Sequence, residues 1–303
     1  MTCGGKAAIE HQEQVGKTTE SSSQDTTSPT LTLTPSSTPL LQDPSHHYLL
    51  LLSDSALPLG SFAFSSGLES YLAHARRTTP SSSSQYLYKP SFTSFLPLSL
   101  SSYASTTLPF ALAAHRDPGL TAELDDILDA SIICAVGRRA SIAQGRALLS
   151  IWEKSLAPSS AVSADARRAL EGYSAVLRSP SSTTAGQNAS EEEGEEVLPP
   201  PVSAHLAPLF GAVARLLGLA ARQTAYVFLF SHAKALVSAA VRAGMFGPYQ
   251  AQKILAGGEL RVLLADLIER EWNVDVEHAA QSVPVMDLWI GRHEMLYSRI
   301  FNS

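Results

Sequence analysis

The side chains that could do chemistry are few and poorly assembled. Gly16-Lys17-Thr18 has the ending of a phosphate-cradling P-loop. That loop needs a glycine five residues ahead of Gly16, where His11 stands, and a buried strand before it, which Met1 to Glu10 does not offer. Nucleotide hydrolysis by this chain is therefore not expected. The nine histidines are scattered apart from His46-His47, and no His-x-His, His-Glu-x-x-His or Cys-x-x-Cys spacing sets two metal ligands on one helix face. His293-Glu294 could serve a transient metal site, although a lone histidine is ordinarily a structural hydrogen-bonding group. Asp125 and Asp129 stand one helical turn apart without a partner histidine or third acid, and read as an exposed face. Serine is abundant, but no Gly-x-Ser-x-Gly elbow occurs. No base, nucleophile or metal constellation emerges, so the expectation is a non-enzymatic chain with no stably bound cofactor and no assignable metal ligands.

Binding is the alternative to catalysis. From Leu50 to Glu69 the chain reads helix, loop, helix. Asp43-Pro44 supplies an N-cap and first turn, Pro58 to Gly60 a turn, and Ser66 with Glu69 the spacing of a capping box. Phe62 and Phe64 on the loop either pin it to the body of the protein or offer an aromatic contact surface. At the other end, Tyr297, Arg299, Ile300 and Phe301 run to Ser303 with nothing after them to pack over them. Tyrosine and arginine are interface residues by preference, so this tail is expected to dock on a partner, the other arrangement being a tail folded back on its own body. Arg222 and Tyr226, one turn apart, are a weaker candidate for a self-complementary dimer patch. Arg146 and Arg242, set among small residues, are expected to find carboxylate or carbonyl partners.

These groups must be positioned by helices. Leu120, Leu124, Ile127, Leu128 and Ile132 recur at helical spacing, as do Leu206, Leu209, Phe210, Val213, Leu216 and Leu217, and Leu260, Leu263, Leu264, Leu267 and Ile268. Tyr226 to Val241 is apolar or small on most of its circumference and suits a central buried helix. Gly247-Pro248 supplies a stop and a start. Strand alternation is not sustained anywhere. The fold expected is all-α, a single compact multi-helix bundle over 43–303, with a disordered Ser/Thr-rich segment at 1–42. Polar insertions are expected at about 158–163 and 178–202, the latter holding the acidic run Glu191 to Glu196.

Composition narrows the class. Of 303 residues 45% are hydrophobic and the formal net charge is −6, which suits a soluble protein and not one that binds nucleic acid. Cys3 and Cys134 are far apart in sequence and suggest neither a disulfide framework nor a zinc site. The start lacks a secretory pattern, Glu10, Glu13 and Glu20 argue against a transit peptide, and apolar runs are broken before membrane-spanning length. A cytoplasmic protein without membrane contact is the expectation.

Four motifs in order carry a resemblance. The first is Ser53-Asp54-Ser55-Ala56-Leu57-Pro58-Leu59-Gly60-Ser61-Phe62-Ala63-Phe64-Ser65-Ser66-Gly67-Leu68-Glu69, the second Ser141-Ile142-Ala143-Gln144-Gly145-Arg146. The third is Ala239-Ala240-Val241-Arg242, and the last is His293-Glu294 followed by Tyr297-Ser298-Arg299-Ile300-Phe301-Asn302-Ser303. Together they resemble the UreF-type urease accessory proteins over about 45–303, polar insertions excepted. Ser61 replaces a glycine found in many members, Ile300 replaces the usual leucine, and the insertions are unlike compact bacterial members, which points to a eukaryotic relative of fungal type. The resemblance implies an all-helical homodimer that binds a UreD/UreH-type accessory protein and recruits a UreG-type GTPase to apo-urease. In that complex nickel is inserted while the chain itself acts as scaffold. The alternative role is direct activation of the GTPase by an inserted arginine such as Arg299. The residues expected at partner contacts are Phe62, Phe64, Ser66, Glu69, His293, Glu294, Tyr297, Arg299, Ile300, Phe301 and Ser303.

Overall fold

A computed structural model describes residues 43–77, 90–159, 164–178 and 202–302. The expected disordered segment 1–42, most of both insertions, and Ser303 lie outside the described residues. Pro158 and Ser159, read from the sequence as loop, instead finish a helical stretch, Ala157–Ser159.

Among the described residues every regular element is helical. The main ones are α1 (Pro44–Ser53), α2 (Leu68–Arg77), α3 (Phe92–Arg116), α4 (Thr121–Ser131), α5 (Ala135–Ile151) and α6 (Ala164–Arg178). They are followed by α7 (Leu206–Leu216), α8 (Ala221–Arg242), α9 (Pro248–Ala256), α10 (Gly258–Glu271) and α11 (Val285–Gly291). Local chemistry sets several ends. Asp43 caps α1 by accepting from the Ser45 N–H at 2.9 Å, ahead of Pro44 in the first turn. At the end of α8, Met245 N–H bonds Ala240 C=O and Gly244 N–H bonds Val241 C=O, both at 3.0 Å, around Gly244 at φ +74°. The left-handed stop is therefore Gly244; Gly247 only precedes Pro248 at the start of α9.

The core is built around α7, whose first nine residues, Leu206 through Ala214, are all buried. It lies so close to α3 that a Cβ on Gly211 would sit 1.9 Å from the Ala111 carbonyl oxygen. At its entrance a Cβ on Gly145 of α5 would sit 2.1 Å from the Ala204 carbonyl oxygen. α8 crosses α3 alongside. By length and composition alone α8 is apolar enough to span a bilayer, against the reading that no run reaches that length, but 56% of its apolar window is buried in the bundle.

Asp125 and Asp129 are not an exposed face. The Asp125 carboxylate, wholly buried, accepts from three successive backbone N–H groups, those of Ser203 (2.6 Å), Ala204 (3.1 Å) and His205 (2.6 Å). Asp129 takes both prongs of the Arg138 guanidinium and pairs with His205 Nε2 at 2.7 Å, while Ser141 Oγ lies 3.0 Å from His205 Nδ1. Burial works to raise the Asp129 carboxyl, but Arg138 and His205 outweigh it and hold it below the usual carboxylate range. The sequence reading failed here because, Arg138 aside, the partners Ser203 to His205 are some 80 positions away along the chain.

The α3–α7 contact leaves no room for a methyl group against a rigid backbone. Gly211→Ala is expected to lower stability by about 2 kcal/mol or more, read from urea unfolding; a change within error would show that the two helices part without cost.

Candidate docking site

The first and last motifs, far apart in sequence, meet in one clasp. Asp54 closes a turn by accepting the Ala56 N–H at 2.9 Å, Gly60 reverses the chain at φ +73°, and a single tight turn (Ser61–Ala63) presents Phe62. Ser66 and Gly67 both take left-handed conformations, φ 48° and 86°. At Gly67 a Cβ would come within 3.1–3.2 Å of Trp289 and Ile290, so the chain passes there against α11. The expected capping box does not form: the N–H of Glu69 points to Ser65 Oγ at 3.5 Å, and Ser66 is turned out of capping position.

That leaves the Glu69 carboxylate free to reach the tail. Its oxygens accept from the backbone N–H of Ile300 (2.7 Å) and of Phe301 (3.3 Å). His293, wholly buried, donates from Nε2 to the Phe301 carbonyl at 3.0 Å, and its Nδ1 stands 3.7 Å from Glu69 with no hydrogen-bond partner. Asn302 N–H donates to Ala63 C=O at 2.8 Å. Phe301 is 4% exposed, and the Arg242 guanidinium lies over its ring at 4.5 Å while donating to the Phe62 carbonyl. Arg299 caps the turn before it by bonding the Leu296 and Glu294 carbonyls, and the Glu294 carboxylate pairs with Arg139.

The other motifs buttress this unit. Ser61 Oγ donates to Gln144 Oε1 at 2.7 Å, and Arg146 reaches the Ser203 carbonyl. Arg146 and Arg242 thus bond carbonyls, as their setting in the sequence suggested. Of the residues read as partner contacts, His293 and Phe301 are buried within the chain, and Phe64, Ser66 and Glu69 are half-buried. Phe62 (65% exposed), Ile300 (63%) and the fully exposed Tyr297 remain on the surface. The tail is folded back on its own body, and what it offers outward is this set of side chains. Arg222 is satisfied within the chain by Glu269 and by the Trp272 ring at 4.2 Å, and Tyr226 stacks on Phe230. Asp125, Asp129 and His205, which form the anchor at the start of α7, are the residues whose roles the sequence did not disclose.

Burial pushes the His293 imidazole below its ordinary value of 6.5, outweighing its hydrogen bond to the Phe301 carbonyl and the nearby Glu69. The folded chain therefore binds fewer protons than the unfolded one below about pH 6.5, so this contribution is full above that pH and is lost as pH falls. Backbone hydrogen exchange at Ile300 and Phe301 should be slow at about pH 7.5, with protection relative to the unfolded chain weakening toward about pH 5, and His293→Gln should flatten that dependence. Glu69→Gln removes a charged acceptor worth about 1.5–3 kcal/mol per bond. It should lower protection of those two amides at least about tenfold with an unchanged far-ultraviolet circular dichroism spectrum; undiminished protection would mean Glu69 does not hold the tail.

The model of the UreF family matches residues 89–258. A protein of Schizosaccharomyces pombe described as an uncharacterized urease accessory protein UreF-like is 37% identical over 257 residues, covering 85% of this chain and 97% of that one. Urease accessory protein 6 of Cryptococcus neoformans is 29% identical over 318 residues, covering 85% and 96%. Urease accessory protein F of Arabidopsis thaliana is 28% identical over 254 residues, covering 83% and 90%. With that family match over more than half its length and near-full-length likeness to fungal and plant relatives, this all-helical chain belongs to the UreF family of urease accessory proteins.

Proposed function

We infer that this chain is a non-catalytic scaffold in urease maturation. It binds a UreD/UreH-type accessory protein and, through that complex, brings a UreG-type GTPase to apo-urease for nickel insertion. It acts in the cytoplasm as a homodimer, engages neither nucleic acid nor membrane, and retains no nickel of its own. Family membership supports the maturation role. The observation that carries the docking surface is the exposure of Phe62, Tyr297 and Ile300 on a clasp whose backbone is tied down at Ile300, Phe301 and Asn302. Large apolar side chains held outward on an ordered frame are the anchors that interfaces use. Direct activation of the GTPase by Arg299 has less support, because its guanidinium bonds two backbone carbonyls that the tail needs.

Co-expression with the accessory protein and the GTPase, followed by size exclusion and metal analysis, tests the reading. All three chains should co-elute, with nickel in the assembled complex and not in this chain alone. The triple variant Phe62→Ala, Tyr297→Ala, Ile300→Ala should keep its melting temperature and lose recovery of the accessory protein at least about tenfold. Undiminished co-purification would overturn the assignment of this face.

A further inference from the structure

A partly open cavity of about 400 Å³ is bordered by α3, α5, α8, the start of α7, residues 59–66 and 131–134, and the C-terminal stretch 279–290. That volume is within the range of about 300–1,000 Å³ found for small-molecule sites. One wall is a run of rings. Phe210 and Phe228 stand 5.3 Å apart, Phe228 and Tyr103 5.0 Å, and Tyr103 and His232 3.9 Å with planes only 7° apart. Elsewhere the lining is rich in hydroxyls, among them Ser99, Thr106 and Ser231.

The electrostatics select the occupant. Tyr103 and His232 sit on central helices yet are only half-buried, and both line the cavity, so the surface they keep faces into it. Burial holds the His232 imidazole below its ordinary value, and its Nε2 stands 3.2 Å from Ser99 Oγ. Asp287 is the one formal charge in the lining, and it already accepts from Gln281 Nε2 at 3.0 Å. Among the described residues no group of three or more histidine, cysteine or acidic side chains could hold a metal ion. Nothing in the lining neutralises an anion, and no cluster there holds a bare metal ion.

We propose that this cavity binds a small molecule carrying no negative charge, with a flat apolar body, which lies against the ring wall, and a hydrogen-bonding end, which meets the hydroxyls and the His232 imidazole. The site is not isolated from the clasp. Ser61 and Phe64 of the first motif form part of its lining, as do Gln281, Met286 and Ile290 of the stretch that leads into the tail. That stretch is tied to α3 through Ser282, whose N–H donates to Ser105 Oγ and whose hydroxyl donates to the Ser101 carbonyl, both at 3.2 Å. An occupant therefore touches both halves of the clasp from within.

The test titrates the full chain with benzamide and benzoate, two probes of one shape and different charge, by calorimetry and thermal shift. Benzamide should bind saturably and raise the melting temperature. Benzoate should bind at least about tenfold more weakly, because its charge would meet no cation in the lining and would face the Asp287 carboxylate. Ala235→Phe, which fills the lining next to His232, should weaken benzamide at least about tenfold without lowering the melting temperature. The proposal is overturned by no saturable benzamide binding, by benzoate binding as well or better, or by undiminished binding to a folded Ala235→Phe chain. Should that variant not fold, the ranking of the two probes on the unaltered chain decides. The docking role of the clasp stands or falls separately.

Discussion

Asp125 sets a carboxylate with no solvent exposure against three consecutive backbone N–H groups at the entrance of α7. A helix that is apolar on nearly every side must be buried on every side, and burial strands the backbone donors of the segment leading into it unless something accepts from them. A carboxylate there meets both requirements, since it supplies several lone pairs and places negative charge at the positive end of the helix dipole. The geometry forces the rest. Ala204 must take φ +71°, α5 must carry a glycine where the Ala204 carbonyl presses on it, and α3 must yield its own carbonyl surface to Gly211. Once α7 is seated, α3, α5 and α8 have only the remaining faces to pack against.

The same chemistry recurs at the clasp with a different outcome. Glu69, like Asp125, grips successive backbone N–H groups, but its side chain keeps 12% of its surface open and the segment it holds is non-helical, not the start of a core helix. Hydrogen bonds to a charged acceptor weaken as water competes for it, so the anchor is part of the fold's foundation and the clasp is the more readily opened. α5 ties the two together. Arg138 serves Asp129 in the anchor, and its neighbour Arg139 serves Glu294 in the tail. The Ser141 to Arg146 motif then reads as a brace: Ser141 on His205, Gln144 on Ser61, Gly145 under Ala204, Arg146 on Ser203.

Periodicity made α4, α7, α8 and α10 legible, because each buries one coherent stripe or its whole circumference, and Asp43-Pro44 announced α1 through local bonds alone. α3 left no such sign. It is the longest helix, yet it contains Pro97, Pro109 and many serines and threonines, residues that argue against helix interiors. Burial overrides propensity there, and Thr106 returns its hydroxyl to the Ser102 carbonyl within the helix at 2.8 Å. The motif residues were visible as a pattern, but not what they do. Spacing alone does not distinguish a Ser66 cap from a Ser65 cap when Ser66 has left-handed backbone, nor an exposed acidic face from an anchor for a segment about 80 positions on.

The tail explains how one segment can be both structural and available. Glu69 and His293 hold it only through backbone groups, the N–H of Ile300, the N–H of Phe301 and the Phe301 carbonyl. Backbone bonds leave side chains uncommitted, and neighbouring residues of a non-helical segment are free to face opposite ways. Phe301 goes inward beneath Arg242, while Ile300 and Tyr297 go outward into solvent. The inward residue and the two carboxylate bonds set the position of the outward ones. Fixing side chains in advance removes ordering cost from any contact they make, a cost that a disordered tail with the same side chains would bear in full.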